Sequence, residues 1–230
     1  MIESFIGEGH QVEIRQHPNN EPGQEPALSP LDLIFNGIIL RVSKMAEKKP
    51  NDLRDIRRFV TDHDDQGKAI FHRDMDETIP RKELPQSATF RLGYATDHAP
   101  VSYDRDIPTY QKLLEKNPGL VLPGGTVLRV VDIGPGGISP MHRTVSLDYG
   151  VVLEGTIELV LDSGETRILE RGDICVQRGT MHQWRNASQT EWGRMLYVLQ
   201  ESKPIKVNGQ TLQEDYGSDG MGDVPSSGSS

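Results

Sequence analysis

Residues 136–155, GGISPMHRTVSLDYGVVLEG, decide the fold, and residues 172–186, GDICVQRGTMHQWRN, answer them. Each stretch opens on glycine and carries one histidine, His142 or His182, among strand-forming residues. Side chains two apart in a strand share a face, so His142, Thr144, Ser146 and Asp148 project together. Arg143, Val145, Leu147 and Tyr149 project to the opposite side. By the same rule His182 shares a face with Trp184. Two such strand pairs set against each other bring His142, Asp148 and His182 to one interior point, with Trp184 as an apolar wall. A small β-barrel aims ligand-type side chains inward in this way.

Outward from this core, short β-prone runs recur between Asp, Gly and Pro: 57–61, 69–72, 88–94 and 126–133 before it, and 166–169, 173–177, 182–185 and 194–200 within and after it. Residues 146–161 read as a hairpin turning at Glu154-Gly155, and 108–116, PTYQKLLEK, as a two-turn helix. Regular short strands punctuated by glycine favour a closed barrel or jelly roll. Upstream, Ser29-Pro30-Leu31-Asp32 carries a helix-start pattern. Leu31, Ile34, Phe35, Ile38, Val42 and Met45 then follow at helical spacing, up to the lysines before Pro50. The expected organisation is an arm over 1–50 with one amphipathic helix, a barrel domain over 51–205 and a flexible tail over 206–230, disordered from 214 on, where composition falls to Gly, Ser, Asp and Pro.

Composition narrows the partners. A net charge of −9, with acidic residues scattered along the 230-residue chain, disfavours nucleic acid and anionic membrane, which both demand a basic face. Mean hydropathy is −0.52. The most apolar window, 31–42, falls short of the roughly twenty residues that span a bilayer. No targeting signal stands out at the start. One cysteine, Cys175, excludes an intrachain disulfide and fits a reducing compartment, so we expect a cytoplasmic protein with a buried, inert thiol.

With these residues in view, the two stretches resemble the paired motifs of the cupin superfamily. Gly136, His142, Thr144, Asp148 and Gly155 match the spacing of the first motif throughout. Gly172, Gln177, Gly179, His182 and Asn186 follow the second, with one residue fewer after the first glycine and Gln177 where proline is usual. The likeness covers roughly residues 87–200 and implies an all-β, single cupin barrel. In metal-binding cupins two histidines and a glutamate of the first motif and the histidine of the second hold the ion. Here the second histidine is Thr144 and the glutamate is the shorter Asp148, which leaves His142, Asp148 and His182. Two histidines and one carboxylate are the ligand set of non-haem Fe(II) oxygenases, so a divalent metal, iron first, is one expectation. The other is that Asp148 is a methylene too short and the metal is absent.

The wider segment, with RMLYVL at 194–199, is similar to small cupins of fungal polyketide clusters, including salicylaldehyde-type ones. That resemblance implies a tailoring oxidoreductase acting on a small polyketide-derived aromatic or enone. His142, Asp148 and His182 are the expected catalytic and metal residues, and Thr144, Trp184, Met195 and Tyr197 the expected substrate contacts. A metal-independent lyase or isomerase (dehydratase or decarboxylase) and a non-catalytic binding barrel are the alternatives. Arg91 and Arg129 pair a substrate carboxylate if they face inward and are solvated if they face out. His10, His17, His63, His72 and His98 read as surface histidines. The apolar face of the arm helix leads us to expect a homodimer.

Overall fold

The computed structural model describes residues 49–84, 88–116, 118–217 and 224–228, together with the backbone of 10–16, 32–35 and 38–44. The chain divides into two units, Met1–Lys48 and Lys49–Ser230. In the first unit β1 (His10–Gln16), β2 (Asp32–Phe35) and β3 (Ile38–Lys44) form an antiparallel sheet in the order β1-β3-β2. The helix expected from Ser29 is therefore not formed over 32–44. Phe35 pairs with Ile38 and Leu33 with Leu40 across the dipeptide Asn36-Gly37. Asn-Gly is the strongest short hairpin signal, and the flanking residues are aromatic and β-branched. Gly37 would also cost a helix about 1 kcal/mol. Ser29, Leu31 and Met45 lie outside the described residues.

The second unit runs β4 (Thr61–His63), β5 (Ala69–Phe71), β6 (Lys82–Leu84), β7 (Ala88–Thr96), α1 (Asp106–Glu115), β8 (Thr126–Ile133), β9 (Ser146–Glu154), β10 (Ile157–Leu161), β11 (Thr166–Leu169), β12 (Ile174–Arg178), β13 (His182–Asn186), β14 (Gly193–Glu201), β15 (Lys206–Val207) and β16 (Gln210–Thr211). A six-stranded sheet, β12-β9-β14-β8-β7-β6, faces a three-stranded one, β11-β10-β13. All their pairings are antiparallel. The expected all-β barrel is present. The 146–161 segment turns at Gly155 as read, but its two arms join different sheets instead of pairing with each other. Gly155 is at φ +77°, and a Cβ there would come within 3.0 Å of Gly193 Cα, so the crossing needs glycine.

Between the sheets, Val131, Ile133, Val152 and Met195 pack on Ile157, Leu159 and Trp184. A second apolar cluster of Leu92, Val127, Leu199 and Val121 continues the interior and takes in Tyr110 of α1. Register stacks the inward side chains of the large sheet in rows: Val152, Met195 and Val131, then Gly150, Tyr197 and Arg129, then Asp148, Leu199 and Val127. On the outer face of that sheet, Asp132 is fully buried under residues 51–55. It accepts hydrogen bonds from Arg91, Arg194 and Asn51.

Of the tail expected to be disordered, the described parts are bonded to the barrel. Arg143 and Asp215 exchange backbone hydrogen bonds of 2.6 and 2.9 Å beside His142. Val121 N–H donates to Ser227 Oγ at 3.1 Å. Low hydropathy concealed a segment held by backbone pairing and hydroxyl contacts. Among the described residues no helix is long and apolar enough to cross a membrane.

Candidate active site

His142 and His182 are brought together by the backbone. Each donates its N–H to the other's carbonyl, at 2.8 and 2.9 Å. Their rings lie 4.3 Å apart, centroid to centroid, tilted by 46°. Nδ1 of His142 stands 2.9 Å from Pro140 O, and Nδ1 of His182 stands 3.0 Å from Thr180 O. A carbonyl only accepts, so each Nδ1 carries the proton and each neutral ring keeps its lone pair on Nε2. Burial pushes both histidines toward the neutral form. His182 falls to about 3, with the neighbouring His142 adding to the effect of burial, and His142 is lowered by burial against its bond to Pro140. Carbonyl-anchored, neutral imidazoles are what a metal site or a general base requires.

Asp148 sits on β9 on the same side of the strand, buried. Burial raises its carboxyl to about 6, although the hydroxyls of Ser146 and Thr144 pull the other way. Ser146 Oγ donates to Thr144 Oγ1 at 2.7 Å, and Thr144 Oγ1 donates to Asp148 Oδ2 at 3.3 Å. The second carboxylate oxygen, Oδ1, is buried without a hydrogen-bond partner among the described residues. Thr144 thus spends its hydroxyl on Asp148, and Ser146, which strand alternation had already placed on this face, completes the chain. Gln177, in the position usual for proline, lies across the ladder from Asp148. It donates to the Thr180 hydroxyl and so braces the loop that carries His182.

The four expected substrate contacts divide. Trp184 packs edge-on to His182 at 5.7 Å and against Tyr197 at 5.6 Å, and belongs to the apolar core. Met195 is fully buried and accepts the Tyr197 hydroxyl on its sulfur at 2.9 Å, so it is a packing residue. Tyr197 is partly exposed, and its hydroxyl has only this weak acceptor. Cys175 is half-buried, and burial raises its thiol, as expected of an inert group. His72 and His98 rest on Asp62 and Asp97 away from this site.

The donors fit a divalent ion in chemistry: two imidazole Nε2 atoms and one orphaned carboxylate oxygen. Their spacing is looser. Among the described residues no three His, Cys, Asp or Glu side chains are gathered closely enough to hold an ion together.

A family model described as "Cupin domain" matches residues 129–199, the strands that carry this site. The cupin-domain-containing oxidoreductase virC of Hypocrea virens is 42% identical over 159 residues, 68% of this chain and 81% of that one. The chain belongs to the cupin family. This cupin is also 51% identical to phomopsin biosynthesis cluster protein D of Diaporthe leptostromiformis over 173 residues, covering 74% of the chain and 92% of the relative. It is 41% identical to oryzines biosynthesis cluster protein J of Aspergillus oryzae over 175 residues, covering 75% and 98%.

Proposed function

We propose that this cupin is a cytoplasmic tailoring oxidoreductase of secondary metabolism, acting inside the barrel on a small polyketide-derived aromatic or enone. The observation that carries the reading is the facing pair of neutral imidazoles, together with a buried Asp148 whose Oδ1 has no partner among the described residues. Relatives named as oxidoreductases and as proteins of fungal biosynthesis clusters support the reaction class. His142 and His182 through Nε2, and Asp148 through Oδ1, are the residues that would hold a divalent ion, iron first. Such an ion supplies open coordination positions for O2 and a substrate oxygen. The chain's own part is to exclude water around Trp184 and to hold both imidazoles in one tautomer through Pro140 and Thr180. Asp148 titrates near pH 6, so it can keep or release a proton at Oδ1 close to neutrality.

The spacing of the donors favours a second reading, a metal-independent lyase or isomerase. There an imidazole Nε2 removes a proton and Asp148 returns one. Elemental analysis of protein purified without chelator, before and after anaerobic Fe(II) loading, separates the two. Less than about a tenth of an equivalent of transition metal overturns the metal-assisted reading. His182→Ala abolishes turnover under either; retained ligand affinity with no turnover in the wild type to lose identifies a binding barrel instead. We also propose a homodimer. Tyr149, Ile174 and Val176 are exposed side by side on the outer face of β9 and β12. Sedimentation at the 25.7 kDa of a single chain would refute the dimer.

A further inference from the structure

Three arginines are buried in the large sheet: Arg91, Arg129 and Arg194. Arg91 and Arg194 point outward and share the carboxylate of Asp132. Arg129 alternates with Val127 and Val131 and so points into the barrel, where it has no carboxylate among the described residues. Its Nη2 donates to Gly119 O at 3.0 Å, and its Nε is buried without a partner among the described residues. The guanidinium stands 4.8 Å over the ring of Phe90. Burial lowers Arg129 to about 10, which still leaves it charged at neutral pH. A lone charge in such a place is costly unless an anion joins it. Its cross-strand neighbour in the same row is Tyr197, whose hydroxyl has only a thioether to bond among the described residues. Opposite Tyr197 is Gly150, where a Cβ would come within 3.1 Å of the tyrosine ring. From Tyr197, two ring-to-ring steps of 5.6 and 5.7 Å through Trp184 reach His182.

We infer that Arg129 anchors the substrate by a carboxylate. The acid binds the guanidinium fork beside Tyr197, with Phe90 beneath the fork and the reacting end toward His142 and His182. The substrate class narrows from any small aromatic or enone to one bearing a carboxylate. This rests on the barrel interior being the substrate site, but not on the redox chemistry proposed for it.

The test is thermal unfolding of the full chain with acetate, benzoate or cinnamate at matched ionic strength, with cinnamamide as the neutral counterpart. Cinnamate should raise the melting temperature with a Kd about tenfold or more tighter than that of cinnamamide, since a charged fork is met by a charged acceptor. Arg129→Met should abolish the response to acids. Without ligand it should unfold no lower than wild type, because an apolar side chain replaces an unpaired charge; a merely structural arginine would lose stability. If the Met variant does not fold, Arg129→Lys serves. It keeps a charge but not the fork, so a weakened response supports the role and an unchanged one overturns it. No shift with any of the three acids in wild type, or an equal shift in Arg129→Met, overturns the inference. An acid response in a protein without turnover would retain Arg129 as the anchor while removing the oxidoreductase reading.

Discussion

Replacing Asp148 by asparagine should stabilise this protein, and only on the alkaline side. The folded carboxyl titrates near 6 instead of 3.8 because burial disfavours its charge. A group whose folded pKa is raised favours the folded state at low pH and loses that advantage as pH climbs from 3.8 through about 6. The full displacement corresponds to roughly 3 kcal/mol at 25 °C. An asparagine in its place would be neutral throughout and would still accept the Thr144 hydroxyl. His182 and His142 act with the opposite sign. Their folded values are lowered, so the stability they contribute is present above 6.5 and is lost as pH falls, for His182 toward about 3. That loss is common to both proteins and cancels in the difference. Urea unfolding with EDTA should therefore show Asp148→Asn nearly level with wild type at about pH 4 and ahead by about 3 kcal/mol at pH 8. A difference that does not change over that range, or a wild type that is the more stable at pH 8, would refute the reasoning.

Two further outcomes follow from packing. Asp132→Asn removes the carboxylate that Arg91 and Arg194 share in a fully buried place, leaving Arg91 only the exposed Asp55 at 3.3 Å, and should lower unfolding free energy by about 3–5 kcal/mol. A urea-unfolding loss below about 1 kcal/mol would contradict the burial assigned to that cluster. Gly150→Ala puts a methyl 3.1 Å from Tyr197 Cε1 and 3.4 Å from Met195 Cε. It should cost about 1–3 kcal/mol and shift the emission of Trp184, with which Tyr197 is in ring contact. Unchanged fluorescence and stability would mean that this row has slack.

The barrel was legible because period-two alternation survives in 146–154, while 126–133 and 193–201 are short β-prone runs with glycine at their start. The pairing of His142 with His182 could be read for the same reason, as each sits in a short run whose register the glycines fix. What the sequence concealed was of another kind. Residues 31–45 satisfy a helical apolar period and a hairpin pattern at once, and Asn36-Gly37 tips the balance toward strands. The carbonyls of Pro140 and Thr180 set the histidine tautomers, yet no side-chain pattern announces a backbone acceptor. Arg91 and Arg129 are chemically identical in the sequence. Only strand pairing, Arg91 with Val130 and Arg129 with Leu92 and Tyr197, shows which one meets Asp132 and which one faces the interior.

The cluster around Asp132 carries an evolutionary consequence. Two arginines drawn from β7 and β14 lean on one carboxylate in β8, and residues 51–55 lie over them. Exchange of all three for apolar residues of like volume would be close to neutral, whereas losing Asp132 alone takes the shared carboxylate from two buried arginines and losing one arginine leaves a one-to-one pair. Descent by single substitutions is therefore blocked where Asp132 goes first and open where an arginine does. Across related barrels, sequences without Asp132 should have lost both arginines as well, whereas Asp132 with a single arginine should occur.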